Sequence, residues 1–213
     1  MLNLPENVTF EEGCIIPDAV STAYHALVCR GKVKFGDKIV VIGCGGLGIH
    51  AIKIASLCGA WVIAVDISNG ALENAKKAGA DEILSFNNID PRYIKKITNQ
   101  GADVAFEFVG NPSTVELAVK CLRVGGRAVV VGMTDERISL ISQRIFAGCE
   151  FELVGSLGSH KSDVVKVLQL VSSEKLDVKS SITHRFKLEN VMEAIQTLKN
   201  KQGNPIRVVL SVR

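Results

Sequence analysis

The sequence of 213 residues contains no long apolar run, no cluster of basic residues and no Cys-x-x-Cys pair. A membrane-spanning helix needs about 20 consecutive apolar residues, so no membrane association is expected. The net charge of +3 is small and spread along the chain, which disfavours nucleic acid as a partner. The first residues carry acidic groups and lack the basic region of a signal peptide, so we expect a cytoplasmic protein.

The six cysteines are too far apart for a zinc ribbon or a redox dithiol. We therefore expect reduced thiols, most of them acting as small buried apolar residues. This expectation covers Cys29, Cys58, Cys121 and Cys149, and it treats Cys44 as a small residue in a crowded turn.

Short apolar runs alternate with amphipathic stretches through most of the chain. The runs lie at 38–43, 61–66, 82–86, 103–110, 127–132 and 151–156, and the helical patterns at 46–58, 70–78, 91–99, 112–122 and 138–147. Because the runs are continuously apolar, they predict strands buried on both faces of a parallel sheet. Right-handed crossovers then give an α/β, Rossmann-type doubly wound parallel sheet of about six strands.

The two ends of the chain are predicted differently. A helix over 21–31 leads into the sheet, and after the sixth strand the tail reads as helix, strand, helix and strand, a C-terminal α/β extension. We therefore predict an interdomain segment at 1–14, a nucleotide-binding domain at 15–156 and the extension at 157–213.

The stretch Gly43-Cys44-Gly45-Gly46-Leu47-Gly48 fits the pattern G-x-G-x-x-G between a predicted strand and a predicted helix. Gly43 permits a tight turn, Gly45 lets the backbone approach a pyrophosphate, and Gly48 lets the helix pack on the strand. Free amides and the helix dipole would face the anion. The alternative is a glycine-rich turn that binds nothing.

Asp66 ends the second predicted strand, 18 residues after Gly48. A carboxylate at this place accepts hydrogen bonds from an adenosine ribose and repels a 2′-phosphate. The sequence therefore predicts NAD rather than NADP as the cofactor.

Several stretches together resemble the medium-chain dehydrogenase/reductases, the family of zinc-type alcohol, sorbitol and threonine dehydrogenases. They are PDAVSTAYHAL, VKFGDKIVVIGCGGLG, VIAVDIS, KKAGADEIL, DVAFEFVG, LRVGGRAVVVG, ELVGSLG and PIRVVLSV, in order over about residues 15–213. The resemblance implies further residues along the NAD site. These are Phe108 and Val109 at the ribose side, Val131, Gly132 and Met133 at the nicotinamide, Ser156 near its amide and Arg207 at the phosphates. Thr22 is also expected to bind the cofactor.

The resemblance also bears on metal binding. Asp18 stands where the family has its third catalytic zinc ligand, and a carboxylate is an acceptable zinc ligand. An N-cap or a solvated loop acid is the alternative. We interpret His25 as a packing or hydrogen-bonding residue, and we expect no ligand set around His160 or His184.

The family's catalytic domain, with the first two zinc ligands and the proton relay, corresponds to nothing in this sequence. We therefore expect the cofactor-binding part of a dehydrogenase, with zinc only in the full-length enzyme and the tail packing toward the missing domain. By itself the chain should bind NADH but have negligible activity. Two copies are expected to pair through the strand at 151–156.

The function expected by resemblance is hydride transfer between NAD and a secondary alcohol, a polyol or a hydroxyacyl-CoA-type substrate. A stand-alone NAD-binding module that senses redox state or assists assembly is the first alternative. A zinc-free enoyl or quinone reductase is the second, and Asp66 counts against it because those enzymes usually prefer NADP.

Overall fold

A six-stranded parallel sheet forms the centre of the computed structural model, which describes residues 2–212. Its strands are β1 (Lys38–Ile42), β2 (Trp61–Asp66), β3 (Glu82–Ser85), β4 (Ala102–Glu107), β5 (Leu122–Val130) and β6 (Glu152–Gly155). The strand order is β3-β2-β1-β4-β5-β6, and every neighbouring pair is parallel. The predicted doubly wound fold of about six strands is therefore confirmed.

Side chains of β1 alternate between two hydrophobic cores, one on each face of the sheet. Ile39 and Val41 belong to one core, whereas Val40 and Ile42 belong to the other. Since successive side chains of a strand point to opposite faces, a run of apolar residues must be covered on both sides. Helices provide that cover, as the continuous apolar runs predicted.

Five helices connect the strands of the sheet. They are α3 (Gly48–Leu57), α4 (Asn69–Lys77), α5 (Pro91–Ile97), α6 (Pro112–Lys120) and α7 (Gln143–Gly148). The last of them is shorter than the predicted helix at 138–147, because Ser142 acts as its N-cap and accepts a hydrogen bond from the amide of Ile145. An N-cap of this kind fixes where a helix begins.

The chain before β1 is helical over 10–31, with α1 (Phe10–Ile15), a π-helical turn, α2 (Ser21–Tyr24) and a second π-helical stretch, His25–Gly31. The predicted start at residue 21 is therefore wrong. A capping box explains the earlier start: the Thr9 side chain accepts from the Glu12 amide, and Glu12 accepts from the Thr9 amide. We refer to residues 10–31 as the amino-terminal helix.

After β6 the chain forms α8 (Lys161–Ser172), β7 (Ile182–Lys187), α9 (Val191–Lys199) and β8 (Arg207–Ser211). The two strands make a separate parallel pair, which agrees with the predicted α/β extension. Lys53 of α3 connects this part to the sheet domain, since its Nζ donates to Asp177, Ser180 and Ser181. Within residues 2–212, no helix is long and apolar enough to span a bilayer.

Candidate functional site: the glycine-rich turn and its cavity

The turn between β1 and α3 requires glycine at two positions. Gly43 has φ +90°, a backbone conformation that side-chain-bearing residues rarely adopt. A Cβ at Gly48 would lie 1.8 Å from the carbonyl oxygen of Gly43, so only glycine allows the helix to start this close to the strand. Both glycines thus serve the geometry that the sequence pattern predicted.

Gly45 has a different environment. A Cβ built on it would meet no atom within 4 Å, because its α-carbon faces a cavity of about 430 Å³. The wall of the cavity comes from the ends of β1, β2 and β4 and from α3. It includes Ile42, Gly43, Gly45, Gly46, Leu47, Gly48, Val65, Asp66, Ile67, Phe86, Phe108, Val109, Asn111, Ser113, Thr114 and Lys201.

The cavity lies where the strand order reverses. From β1 the chain proceeds to β2 and β3 on one side, and it then returns to β4 on the other. Ligands of open α/β sheets bind in the crevice at the carboxyl ends of the strands at such a point. Eight of the residues predicted to bind the cofactor, Gly43, Gly45–Gly48, Asp66, Phe108 and Val109, line this cavity.

Asp66 is held by two backbone amides. Its Oδ2 accepts from the Cys44 N–H at 2.7 Å, and its Oδ1 accepts from the Ser68 N–H at 2.8 Å. Each carboxylate oxygen has a second lone pair, so the group can also accept from a ligand hydroxyl. The two bonds orient the carboxylate at the cavity wall before any ligand arrives.

Arg207 of β8 reaches the glycine-rich turn across the structure. Its guanidinium donates to the carbonyl oxygen of Gly46 at 3.0 Å, while its buried Nε has no hydrogen-bond partner among residues 2–212. Burial lowers the pKa of Arg207, although nearby Asp18 and Cys14 act in the opposite direction. A buried cationic donor with unused capacity beside the turn is well suited to a bound anion.

The amino end of α3 adds further capacity for an anion. Its N-cap is Leu47, and no side chain in the described part of the chain caps this end. The Ile49 amide already donates to the Gly45 carbonyl oxygen at 3.0 Å. An anion would therefore be held by the amides before Ile49, where the helix dipole favours negative charge. The turn, the helix end and Arg207 together meet the requirements of a diphosphate.

His50 lies in the first turns of α3 and is completely buried. Both ring nitrogens lack a hydrogen-bond partner within residues 2–212. Burial, together with the charges of Lys53 and Arg207, lowers the pKa of His50 to about 3. The ring is consequently neutral at physiological pH, and nothing in the sequence pattern signalled this.

A buried carboxylate organises the loop after β4. Oε1 of Glu107 accepts from the amides of Val109 and Gly110 and from the Thr114 hydroxyl. These bonds end the strand earlier than the predicted residue 110. They also place Val109 at the cavity, where it is half exposed.

The remaining predicted cofactor-binding residues do not line the same cavity. Gly132 and Met133 line a neighbouring one, and Gly132 packs so closely on Gly110 that a Cβ would lie 2.1 Å from the Gly110 nitrogen. Val131 and Thr22 are buried, and Ser156 is buried with an unpartnered hydroxyl oxygen. Their role at the cofactor remains a prediction.

Asp18 is exposed on the π-helical turn of the amino-terminal helix. Among the described residues, it is not part of any group of three His, Cys, Asp or Glu side chains close enough to share a metal ion. Among residues 2–212, Asp18 therefore lacks the further ligands that a zinc ion at this position would need.

The cysteine predictions have mixed outcomes. Cys44 and Cys121 are buried, whereas Cys58 and Cys149 are partly buried. The expectation is wrong for Cys29, which is exposed on the amino-terminal helix. The predicted hydrogen-bonding role of His25 is confirmed, because its Nδ1 lies 2.8 Å from Oδ2 of Asp163.

Some residues at the cavity were not predicted from the sequence. Phe86 and Ile67 add apolar wall near Asp66, and Lys201 adds a cation from the loop after α9. Phe86 follows β3 in the chain, so the rule that binding residues follow the strand ends could have identified it. Lys201 lies in the tail, and no local pattern marks it.

The family described as zinc-binding dehydrogenase matches residues 46–173. The D-xylulose reductase of Saccharomyces cerevisiae is 35% identical over 97% of this chain and 59% of its own length. The sorbitol dehydrogenase of Rattus norvegicus is 32% identical over 96% of this chain and 58% of its own length. Among solved structures, an alcohol dehydrogenase from Thermus sp. ATN1 superposes with a TM-score of 0.91 at 29% identity, covering 99% of this chain and 60% of that one.

A doubly wound sheet with a glycine-rich turn at its switch point defines the class of dinucleotide-binding α/β domains. The chain belongs to the zinc-binding dehydrogenase family, as the resemblance indicated. It spans 58–60% of the length of these relatives.

Proposed function

We propose that the chain is the NAD-binding part of a dehydrogenase that acts on the CH–OH group of a small alcohol. The single observation that carries the proposal is the cavity lined by the glycine-rich turn and Asp66, with Arg207 bonded to the Gly46 carbonyl oxygen of that turn. The glycine-rich turn provides backbone amides, Arg207 provides a cation, and Asp66 provides a ribose acceptor. Bound NAD+ would supply the hydride acceptor.

Asp66 supports NAD over NADP as the cofactor. Its carboxylate is already fixed by two amide donors, so it would accept from a ribose diol without reorganisation. A 2′-phosphate at the same place would meet this negative charge. The apolar wall from Ile67 and Phe86 offers a surface for a flat base.

The substrate class is supported by the relatives rather than by the cavity. Two of them are named for D-xylulose and sorbitol, so we propose a polyol or another secondary alcohol. A hydroxyacyl-CoA-type substrate is the alternative. We propose Asp18 as one carboxylate zinc ligand of the full-length enzyme, and we expect the purified chain to bind NADH without oxidising alcohols.

We also propose that two copies pair through β6, and that the protein acts in the cytoplasm. β6 is the last strand in the sheet order, and Leu153 on it is about one-third exposed. Six free cysteines suit a reducing compartment. Sedimentation should give a dimer for the chain and a monomer for Leu153→Lys, since a charge on an edge strand opposes pairing.

Titration with NADH and NADPH tests the cofactor assignment. We expect the wild-type chain to bind NADH at least about 100-fold more tightly than NADPH, a difference of about 2.7 kcal/mol. Asp66→Asn keeps the side-chain size but removes the charge, so the preference should fall to about 10-fold or less. Glu82→Gln is the charge-matched control, because Glu82 begins β3 and so lies at the amino ends of the strands, whereas the cavity lies at their carboxyl ends. Equal affinities in the wild-type chain would overturn the assignment.

A further inference from the structure

Three metal-ligating side chains meet where the amino-terminal helix packs on α8. His25 and Cys29 are four residues apart on the helix, and Asp163 lies in the first turn of α8. One ligand atom from each lies within 4.8 Å of the other two, and this is the one such group among residues 2–212. None of the three lines the cavity beside the glycine-rich turn.

We propose that these three residues form a zinc site. Tetrahedral zinc with bonds of about 2.0–2.3 Å requires donor atoms about 3.3–3.8 Å apart. His25 Nδ1 is 2.8 Å from Asp163 Oδ2, and Cys29 Sγ is 3.6 Å from Asp163 Oδ1. The second distance lies within the required range and the first is about 0.5 Å below it, so small side-chain shifts would bring all three donors into position.

The chemistry of the donor set selects the ion. A thiolate, an imidazole and a carboxylate together suit Zn²⁺, whereas Mg²⁺ and Ca²⁺ prefer oxygen ligands alone. A thiolate and a carboxylate also balance the two charges of the ion. His25 and Asp163 are buried and Cys29 is exposed, so the site is closed on one side and open to solvent at the thiol.

The surroundings pre-orient two of the ligands. Oδ2 of Asp163 also accepts from the backbone N–H of His160 at 2.9 Å, which fixes the carboxylate. The ring of His160 lies edge-to-face against that of His25, with centroids 4.8 Å apart, which restricts the orientation of the His25 ring.

The consequence of zinc binding is a link between two elements distant in sequence. His25 and Asp163 are 138 residues apart, and the ion would join their helices by bonds rather than by one hydrogen bond. Zinc that binds only the folded state raises stability by mass action. At zinc about 100-fold above Kd, we expect the Tm to rise by about 5–10 °C.

Metal titration of the chelator-treated chain tests the proposal. We expect one Zn²⁺ per chain to survive gel filtration, and Co²⁺ to give a tetrahedral spectrum with a thiolate charge-transfer band. Cys29→Ser should abolish the band and weaken zinc binding by at least about 100-fold. Because Cys29 is exposed, this variant is expected to fold, and Cys149→Ser, at a partly buried cysteine outside the cluster, is the control.

Each outcome of this experiment either supports or overturns the zinc site. Binding lost in Cys29→Ser and in Asp163→Asn, but kept in Cys149→Ser, supports the site. A wild-type chain without stoichiometric zinc, or a cobalt thiolate band that persists in Cys29→Ser, overturns it. NADH titration of the same samples is independent of this result, so a failed zinc site and a failed cofactor site are distinguishable.

Discussion

The cavity beside the glycine-rich turn and the cluster of His25, Cys29 and Asp163 are built in opposite ways. At the cavity, Gly43, Gly45 and Gly48 lie within six consecutive residues, and the backbone of this turn forms part of the wall. In the cluster, three side chains come from two helices that are far apart in the chain. A site made from local backbone leaves a pattern in the sequence, whereas one made by tertiary packing does not.

The two sites also differ in the hydrogen bonds that orient their side chains. Asp66 is oriented by two backbone amides close to it in the fold, whereas His25 and Asp163 hold each other across a helix–helix contact. The effect of a substitution in the turn should depend on its position: Gly48 is needed for packing, whereas Gly45 faces the cavity. A substitution in the cluster should weaken the contact between the amino-terminal helix and α8.

The largest effect is expected for Gly48→Ala. The added Cβ would lie 1.8 Å from the Gly43 carbonyl oxygen, which is backbone and cannot rotate away. We expect a loss of at least about 3 kcal/mol in the free energy of unfolding, or no folding at all. Urea denaturation of the wild-type chain and the variant measures this loss.

Gly45→Ala is the matched control, because its Cβ meets nothing within 4 Å. Its stability should change by less than about 1 kcal/mol, while NADH affinity falls because the methyl group occupies cavity space. Equal stability losses in the two variants would show that the turn has no separate packing and binding positions.

The second-largest effect is expected on the pH dependence of stability, and His50 is its source. The folded-state pKa of about 3 lies below the ordinary value of 6.5, so the folded chain resists protonation that the unfolded chain accepts. This stability is complete above pH 6.5 and is lost progressively as the pH falls toward 3. Between pH 7 and pH 4 we expect a loss of up to about 3 kcal/mol from this residue.

His50→Leu should remove that part of the pH dependence. The variant replaces a buried ring that lacks hydrogen bonds by an apolar group of similar size, so stability at pH 7 should be retained. Urea denaturation at pH 7 and pH 4 measures the difference, with His184→Asn, at a partly buried histidine of β7, as control. Parallel pH profiles for wild-type and His50→Leu chains would contradict the account.

The smallest effect is expected for Arg207→Gln. Removing the cation beside Gly46 should weaken NADH binding by about 10- to 30-fold, the contribution of a charge-assisted hydrogen bond. Arg144→Gln on the exposed surface of α7 is the matched control. Titration at two salt concentrations measures the change, and a loss no larger than that of the control would exclude Arg207 from the phosphate site.

The sheet and most of its helices were predictable from sequence because both follow local periodicity. The boundaries of two helices were predicted incorrectly from this periodicity. The sequence Thr9-Phe10-Glu11-Glu12 contains a capping-box pattern that would have located the start at Phe10. Ser142 likewise signals the later start of α7, but the apolar residues before it suggested a longer helix.

The candidate site was predictable in part for the same reason. The turn and Asp66 follow strand ends in a known order, so their meeting at one cavity follows from the topology. Lys201 and the pairing of His25 with Asp163 depend on how the tail packs, which no local pattern encodes. The buried state of His50 depends equally on its neighbours in space.

A crystal structure of the chain with NAD+ tests the central claim most directly. The account predicts the diphosphate against the first amides of α3 and beside Arg207, with the adenosine ribose hydroxyls bonded to Asp66. Dinucleotide bound elsewhere, or no dinucleotide at millimolar concentration, would contradict the assignment of this cavity as the NAD site.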